Sequence, residues 1–223
     1  MQLNKLEPEF LKYLIDNQVV SGDRLPSLTD ISRELGVSVG KLREQLEVAR
    51  SMGLVSVRPR LGMQREPFNF TPAVLNGVLF GLGSGDATFA QFSRVRVALE
   101  TYFWDTAVTQ LTSADKEELH DIIARAWGKL RGAPIHVPNG EHRELHLKIF
   151  CRLDNPFVQG LLNAYWDAYE ASELTRFASY QYWTDVWSYH EQIVAALCAD
   201  DFATGRQLLI EHFDLLPALF EPA

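Results

Sequence analysis

Six histidines occur in the sequence, and four of them have a spacing that could assemble a metal site. His142 and His146 are four residues apart, so on a helix their side chains lie one turn apart on the same face. His190 and His212 are 22 residues apart, and they can meet only if the chain reverses between them. The pair Asp200-Asp201 is the natural place for that reversal.

Neutral imidazole is a suitable ligand for zinc, nickel, copper, iron and cobalt. Three or four imidazoles, with room left for water or for the carboxylate of a bound molecule, would form an open site. The sequence therefore predicts a divalent transition metal, zinc or nickel, held by His142, His146, His190 and His212.

The elements that must position these histidines are helices. Apolar residues recur at spacings of three and four in seven stretches: 73–82, 87–110, 114–130, 139–152, 155–178, 182–199 and 201–219. Breakers such as Gly132-Ala133-Pro134 and Asn155-Pro156 separate the stretches, and none of them alternates like a strand. The pattern predicts an all-α bundle of six or seven helices whose interior can hold a ligand.

Composition excludes several classes of protein. The chain has 223 residues, of which 47% are hydrophobic and 22% charged, a balance typical of a globular protein and not of a disordered one. Its longest nearly apolar stretch, 73–82, is too short to cross a membrane, and its first residues lack the pattern of a signal peptide. We expect a cytoplasmic protein that makes no membrane contact, with Cys151 and Cys198 as reduced packing residues.

Charge is distributed unevenly along the chain. The formal net charge is -8, but residues 24–65 carry +4, whereas residues 1–23 carry -2 and residues 66–223 carry -10. A basic segment joined to an acidic one indicates a small anion-binding module carried by a larger domain. We therefore predict a first domain over 1–66, a linker over 67–72 and a second domain over 73–223.

Residues 1–66, which include the basic segment, have the pattern of a winged helix-turn-helix. A short helix near residues 6–15 precedes a second helix that follows Pro26-Ser27 and ends at Gly36. Ser38 caps a third helix, which stops at Gly53. Two short strands, 54–57 and 63–65, follow and are joined by a turn.

This segment resembles the N-terminal domain of the GntR family of bacterial transcription regulators. The resemblance depends on an ordered series of fragments: Gly22-Asp23-Arg24-Leu25-Pro26-Ser27, Leu35-Gly36-Val37-Ser38, Leu42-Arg43-Glu44 with Leu46, Gly53-Leu54-Val55, and the wing Gly62. In such a domain the helix that starts at Ser38 lies in the major groove of double-stranded DNA. The resemblance implies DNA contacts at Ser38, Gly40, Lys41 and Arg43 on this helix and at Arg58 and Arg60 on the wing.

Two positions depart from the GntR pattern. Thr29 stands where family members usually carry Arg, and Val39 stands where a basic or polar residue is usual. Because both positions are uncharged, the chain either recognises an unusual operator sequence or binds DNA weakly. For Arg43, an ion pair with Glu47 on the helix surface is the alternative to a DNA contact.

Residues 87–215 resemble the FCD domain, the ligand-binding domain of one large GntR subfamily. The matching positions are His142, His146, Asn155-Pro156, His190 and His212. The resemblance implies a divalent metal held by an acidic residue and three histidines, and His142 takes the place of the acidic ligand. This exchange keeps a metal-binding side chain but removes a negative charge.

The same resemblance gives a role to Arg96, which lies four residues before Glu100. A planar guanidinium can bind a carboxylate bidentately while a metal holds the other end of the molecule, so the implied effector is a small organic acid. A plain surface ion pair between Arg96 and Glu100 is the alternative. The sequence is rich in aromatic residues between 165 and 189. These residues either pack in the core and at a dimer interface or line the ligand pocket.

These patterns together predict a ligand-responsive transcription regulator that binds a palindromic operator as a homodimer. The acid and the metal would alter the spacing or mobility of the two winged helices. Two alternatives remain open: a helical-bundle metalloenzyme, and a regulator-derived module that no longer binds DNA. Against the enzyme, Glu141, Glu144 and Glu191 are neighbours of the histidines in sequence, but adjacent helical positions point about 100° apart.

Overall fold

The computed structural model of the protein describes residues 5–173, 175 and 178–215. Within these residues the chain forms ten helices and one two-stranded sheet. It divides into two compact units, Met1–Asn76 and Gly77–Ala223. The predicted fold class is confirmed, because the first unit is a winged helix-turn-helix and the second is an all-α bundle.

The first unit has three helices followed by a hairpin. Its elements are α1 (Glu9–Asp16), α2 (Leu28–Leu35), α3 (Val39–Ser51), β1 (Val55–Arg58) and β2 (Gly62–Arg65). Ser27 and Ser38 cap α2 and α3, since each side chain accepts a hydrogen bond from a backbone N–H in the first turn of its helix. Gly36 has φ 66°, the left-handed conformation that ends α2 and turns the chain into α3.

The wing is the antiparallel pair β1 and β2. Val55 is opposite Arg65, and Arg58 is opposite Gly62, so residues 59–61 form the tip of the wing. Arg60 at this tip has φ 65°, an uncommon conformation for a residue other than glycine. Fully buried apolar side chains from the three helices form the core beside the wing: Phe10, Ile31, Leu42 and Ala49.

The helices of the second unit match the predicted stretches closely. They are α5 (Phe89–Val108), α6 (Ser113–Leu130), α7 (Asn139–Ile149), α8 (Pro156–Ala171), α9 (Tyr180–Cys198) and α10 (Phe202–Phe213), preceded by α4 (Thr71–Ser84), which crosses the division between the units. Helix α9 packs along α10 and α6, α7 packs against α6 and α8, and α5 packs against α8 and α10. This arrangement surrounds one apolar core.

Local sequence signals fix where several of these helices begin. Thr88 and Thr112 start α5 and α6 with capping boxes, and Asn155 caps α8 immediately before Pro156. Gly205 allows α10 to approach α5 closely, since a Cβ at this position would lie 2.9 Å from Cζ2 of Trp104. Helices α5, α6 and α8 pack in turn against α7, α9 and α10, which carry the four predicted histidines.

Two features differ from the sequence pattern, and one predicted segment lies beyond the described residues. Helix α8 ends at Ala171 and not near 178, because Glu173 has φ 46° and cannot continue the helix. Cys151 and Cys198 are exposed free thiols, so the expectation that both are packing residues is wrong. The end of the last predicted helix, 216–219, lies outside the described residues.

Candidate metal centre

The four predicted histidines meet in the interior of the second unit. His142 and His146 come from one face of α7, His190 comes from α9 and His212 from α10. One ring nitrogen from each lies within 4.8 Å of the others, and none of the four side chains is more than 1% exposed. The reversal between α9 and α10 occurs at Asp200, which has φ 59°.

The ring nitrogens converge, and only some of them find hydrogen-bond partners. Nε2 of His190 lies 3.2 Å from Nε2 of His146 and 3.1 Å from Nε2 of His212. In the described part of the chain, both ring nitrogens of His142 and the Nδ1 atoms of His190 and His212 have no hydrogen-bond partner. Buried polar atoms are normally satisfied, so a shared cation fits this arrangement better than a set of isolated imidazoles does.

Burial also sets the protonation state that metal binding requires. It lowers the pKa of each of the four imidazoles well below the ordinary value of 6.5, and the positive charge of Arg96 lowers it further. The rings are therefore neutral at physiological pH. Neutral imidazole is the form that binds zinc, nickel and related ions, so the donor set fits a divalent transition metal.

Arg96 and Glu100 lie directly beside the histidines. Nε of Arg96 is 2.7 Å from Oε1 of Glu100, and both side chains are fully buried, so the alternative of a surface ion pair is wrong. Nη2 of Arg96 lies 2.9 Å from Nε2 of His146, and Oε2 of Glu100 lies 3.1 Å from Nδ1 of the same ring. Burial acts to lower the pKa of Arg96, but Glu100 and Tyr165 reverse this effect, so the guanidinium stays charged.

Aromatic rings enclose the cluster on the side of His142. The ring centroid of Trp166 lies 4.7 Å from that of His142, and the centroids of Trp183 and Trp187 lie at 5.9 Å and 6.3 Å. All three tryptophans are buried. The aromatic stretch thus lines the histidine cluster with these three residues, whereas Tyr180 is half exposed.

Ser93 is a residue of the site that the sequence did not indicate, and Tyr165 stood out only as part of the aromatic stretch 165–189. The Tyr165 hydroxyl lies 3.3 Å from Nη1 of Arg96 and 3.5 Å from Oγ of Ser93. Ser93, Arg96 and Glu100 follow one another at three and four residues, which places a polar stripe on one face of α5. That stripe is a signal that could have indicated a buried polar site.

The predicted DNA contacts lie at the start of α3 and on the wing. Ser38, Gly40, Lys41 and Arg43 are exposed, as are Arg58 and Arg60. Nη1 of Arg50 lies 2.7 Å from Oε1 of Glu47. Glu47 is thus paired with Arg50 and not with Arg43, whose alternative role was an ion pair with Glu47. Nζ of Lys41, by contrast, lies 3.0 Å from a carboxylate oxygen of Glu9.

Arg24 adds a basic side chain beside the wing that sequence analysis did not single out. Its backbone pairs with Gln64 of β2, and its guanidinium lies close to Gly62. The residue precedes α2 and falls within the first of the GntR-like fragments. Its exposure next to the wing places it among the candidate phosphate contacts.

A winged helix-turn-helix followed by a helical bundle is an arrangement typical of transcription regulators. A family model described as the FCD domain matches residues 91–215, more than half of the chain. The chain therefore belongs to the FCD domain family of GntR-type transcription regulators. This assignment sets aside the metalloenzyme alternative.

Solved structures of regulators share the fold over nearly the whole chain. "Streptococcus agalactiae GntR" is 14% identical, with a TM-score of 0.67, and the match covers 94% of this chain and 96% of that one. "E. coli McbR/YncC" is 20% identical, with a TM-score of 0.51, and the match covers 95% and 93%. No curated protein sequence matches the chain.

None of the helices in the described residues is long and apolar enough to cross a bilayer.

Proposed function

We propose that this chain is a ligand-responsive regulator that binds double-stranded DNA through its winged helix and senses a small organic acid in a metal-containing pocket. The observation that carries the proposal is the buried cluster of four neutral histidines with Arg96 beside it. A metal there would supply Lewis acidity toward an acid oxygen, and Arg96 would supply a planar pair of donors. His142, His146, His190 and His212 would hold zinc or nickel.

DNA binding is proposed to use the start of α3 and the wing. Ser38, Gly40, Lys41 and Arg43 would face the major groove, and Arg58 and Arg60 would lie near the backbone phosphates. The pair between Lys41 and Glu9 is exposed, and such pairs are weak, so a DNA phosphate can take the place of the carboxylate. Lys41 therefore remains a candidate contact.

The regulator is proposed to act as a homodimer on a palindromic operator. Helix α4 is strongly apolar, yet among its residues only Thr71 is buried, and Phe80 is 74% exposed. Tyr102 on α5 is 79% exposed. Large exposed apolar side chains of this kind mark interaction surfaces, and a second copy of the chain is the occupant that two-fold symmetric DNA requires.

Salt-dependent DNA binding tests the proposal. We expect the full chain to bind double-stranded DNA with an affinity that falls steeply as salt rises, because each neutralised phosphate releases counterions. Replacing Arg43 and Arg60 together with Ala should weaken binding and reduce the slope by roughly 0.9 for each phosphate that is no longer neutralised. The matched control is Arg94→Ala, which removes an exposed arginine from the second unit.

Two results would contradict this part of the proposal. The absence of any salt-sensitive affinity between roughly 50 and 200 mM salt, a range over which phosphate binding ordinarily weakens by orders of magnitude, would favour a module that no longer binds DNA, as Thr29 and Val39 suggest. Equal effects of Arg94→Ala and of the double substitution would place the DNA contacts elsewhere.

A further inference from the structure

Charge balance around the histidine cluster limits what the pocket can bind. All four donors are neutral imidazoles, so they offset none of the charge of a divalent cation. The carboxylate that touches the cluster is Glu100, and it already neutralises the Arg96 guanidinium at 2.7 Å. A divalent ion held by the four histidines would therefore keep both of its positive charges.

The other buried carboxylates of the described residues are committed elsewhere. Asp115 is paired with Lys148 and Arg152, and Glu141 is paired with Lys129. Each of these carboxylates is thus already balanced by a neighbouring cation. A charge that is buried without a counter-charge is strongly unfavourable in a protein interior, so the missing negative charge has to enter with the ligand.

The tryptophans beside His142 carry donors that such a ligand could use. Within the described residues, the indole N–H groups of Trp166, Trp183 and Trp187 are buried and have no hydrogen-bond partner. Indole nitrogen can only donate, and the Arg96 guanidinium can only donate as well. Apart from the histidine nitrogens that would face the metal and the Tyr169 hydroxyl, which can donate or accept, the unpaired groups of described residues beside the cluster are these indole donors, and they suit a molecule that presents several acceptor oxygens.

We infer that the pocket takes a small organic dianion, a dicarboxylate, in preference to a monocarboxylate of the same carbon skeleton. The inference rests on the proposed metal and acid site. Its physical cause is that one carboxylate would leave a net positive charge in the interior, whereas two carboxylates balance the divalent ion. His142 determines this preference, because an acidic side chain at that position would itself supply one of the two charges.

Matched pairs of acids test the inference on the full chain loaded with zinc. Calorimetric titration compares succinate with butyrate and malonate with propionate, at equal ionic strength and neutral pH, and zinc content is measured by mass spectrometry on each sample. We expect each dicarboxylate to bind at least about tenfold more tightly than its matched monocarboxylate, since one unbalanced charge at partly screened distances is worth that much or more.

A pair of substitutions isolates the charge at position 142. His142→Asp adds a negative charge, and we expect the preference for the dicarboxylate to fall toward unity. In His142→Asn the new side chain has nearly the same size as in His142→Asp but is neutral. This variant should keep the preference for the dicarboxylate over the monocarboxylate. Equal affinity for the two members of both pairs on the wild type, or an equal preference in the two variants, would overturn the inference.

The same samples separate this inference from the proposed function. Zinc retained at one equivalent with no binding of any of the four acids would overturn the dicarboxylate preference while leaving the metal site and the DNA module standing. Zinc released from the wild type during dialysis would overturn the metal site and the inference with it, whatever the DNA measurements give.

Discussion

At the scale of single residues, burial decides the chemistry of the histidine cluster. Water would stabilise a protonated imidazole, but the four rings are excluded from water and lie near the Arg96 charge. Their pKa values are lowered in consequence, and one nitrogen of each ring lies within 4.8 Å of a nitrogen of every other ring. The cost of these unsatisfied nitrogens in the metal-free protein is offset when a cation is bound.

Removing one ring should therefore remove metal and stability together. We expect His190→Ala and His212→Ala to lower zinc content after dialysis and to lower the melting temperature measured with zinc present. A ligand held roughly 100-fold above its Kd stabilises the native state by about 2.7 kcal/mol, and that contribution disappears when the metal is not bound. His120→Ala and His136→Ala, which alter exposed histidines, are the matched controls. Unchanged zinc content in both core variants would contradict a four-histidine site.

Arg96 should affect the acid and not the metal. Replacing it with Lys keeps the positive charge beside Glu100 but removes the planar pair of donors. For the zinc-loaded protein we expect succinate affinity to fall about tenfold, the usual value of a charge-assisted hydrogen bond, with zinc content unchanged. Arg94→Lys, an exposed neighbour on α5, is the control. A titration identical to that of the wild type would limit Arg96 to a structural pairing with Glu100.

Sequence spacing was enough to bring four histidines into one hypothesis, because i and i+4 positions share a helix face and a 22-residue separation needs a reversal. It was not enough to place Arg96. An Arg and a Glu four residues apart have the same pattern on a surface and in a core, and only the packing of α5 against α8 and α10 distinguishes the two. The unpartnered indoles depend on tertiary neighbours and carry no sequence signal.

At the scale of elements, Asp115 connects two helices that support the site. Its carboxylate accepts from the backbone N–H and the hydroxyl of Thr112 at the start of α6. It also pairs with Arg152 and Lys148 at the end of α7, at 2.8 Å in each case. A single buried carboxylate thus caps α6 and fixes the helix that carries His142 and His146.

Loss of this carboxylate should destabilise the protein without removing its metal ligands. We expect Asp115→Ala to lower the free energy of unfolding by about 2 kcal/mol, since it removes a helix cap and the charge-assisted hydrogen bonds that Arg152 and Lys148 donate to a buried carboxylate. Chemical denaturation of the zinc-free protein measures this change. Asp121→Ala, on the exposed side of α6, should change stability by less than about 0.5 kcal/mol. Equal effects of the two substitutions would show that the ion pairs and the cap of Asp115 contribute nothing to the free energy of unfolding.

Asp115 should also make the free energy of unfolding depend on pH. Hydrogen bonds from Arg152, Lys148 and Thr112 hold the pKa of Asp115 far below its ordinary value of 3.8. The unfolded chain therefore takes up this proton before the native protein does, so the contribution is complete above the ordinary value and is lost as pH falls below it. The difference in unfolding free energy between wild type and Asp115→Ala should shrink from pH 7 to pH 3. A difference that stays constant from pH 7 to pH 3 would contradict a lowered pKa of Asp115 in the native protein.

Helix positions were largely predictable because the apolar period and the caps agree. Thr88, Thr112 and Asn155 precede apolar repeats, and the helices begin immediately after each of them. Helix ends were less predictable, as α8 shows, because its apolar pattern continues past the point where the backbone becomes left-handed at Glu173.

Charge and exposed apolar surface are divided between the two parts of the chain. The basic segment 24–65 carries the winged helix, and the acidic segment 66–223 carries the bundle. An acidic surface repels DNA, so DNA binding is expected to be confined to the basic segment. Phe80 and Tyr102 expose apolar surface on the acidic part, where we propose that two copies meet.

A charge placed on that surface should separate the copies. We expect Phe80→Asp to shift the protein from dimer to monomer in analytical ultracentrifugation and to weaken binding to a palindromic site, because one module then contacts one half-site. Phe157→Asp is a matched control, since Phe157 is also exposed but lies on α8. A dimer that persists at micromolar concentration in Phe80→Asp would place the interface elsewhere.

Sequence-specific DNA binding is the property that we propose above all for this chain. Its most direct measurement is capture of fragmented genomic DNA from the source organism on the purified full chain at moderate salt, followed by sequencing. We predict enrichment of one or a few sites with two-fold symmetry, and loss of that enrichment in a variant with Arg43 and Arg60 replaced by Ala. Recovery of no site above background, with and without zinc and succinate, would contradict the claim.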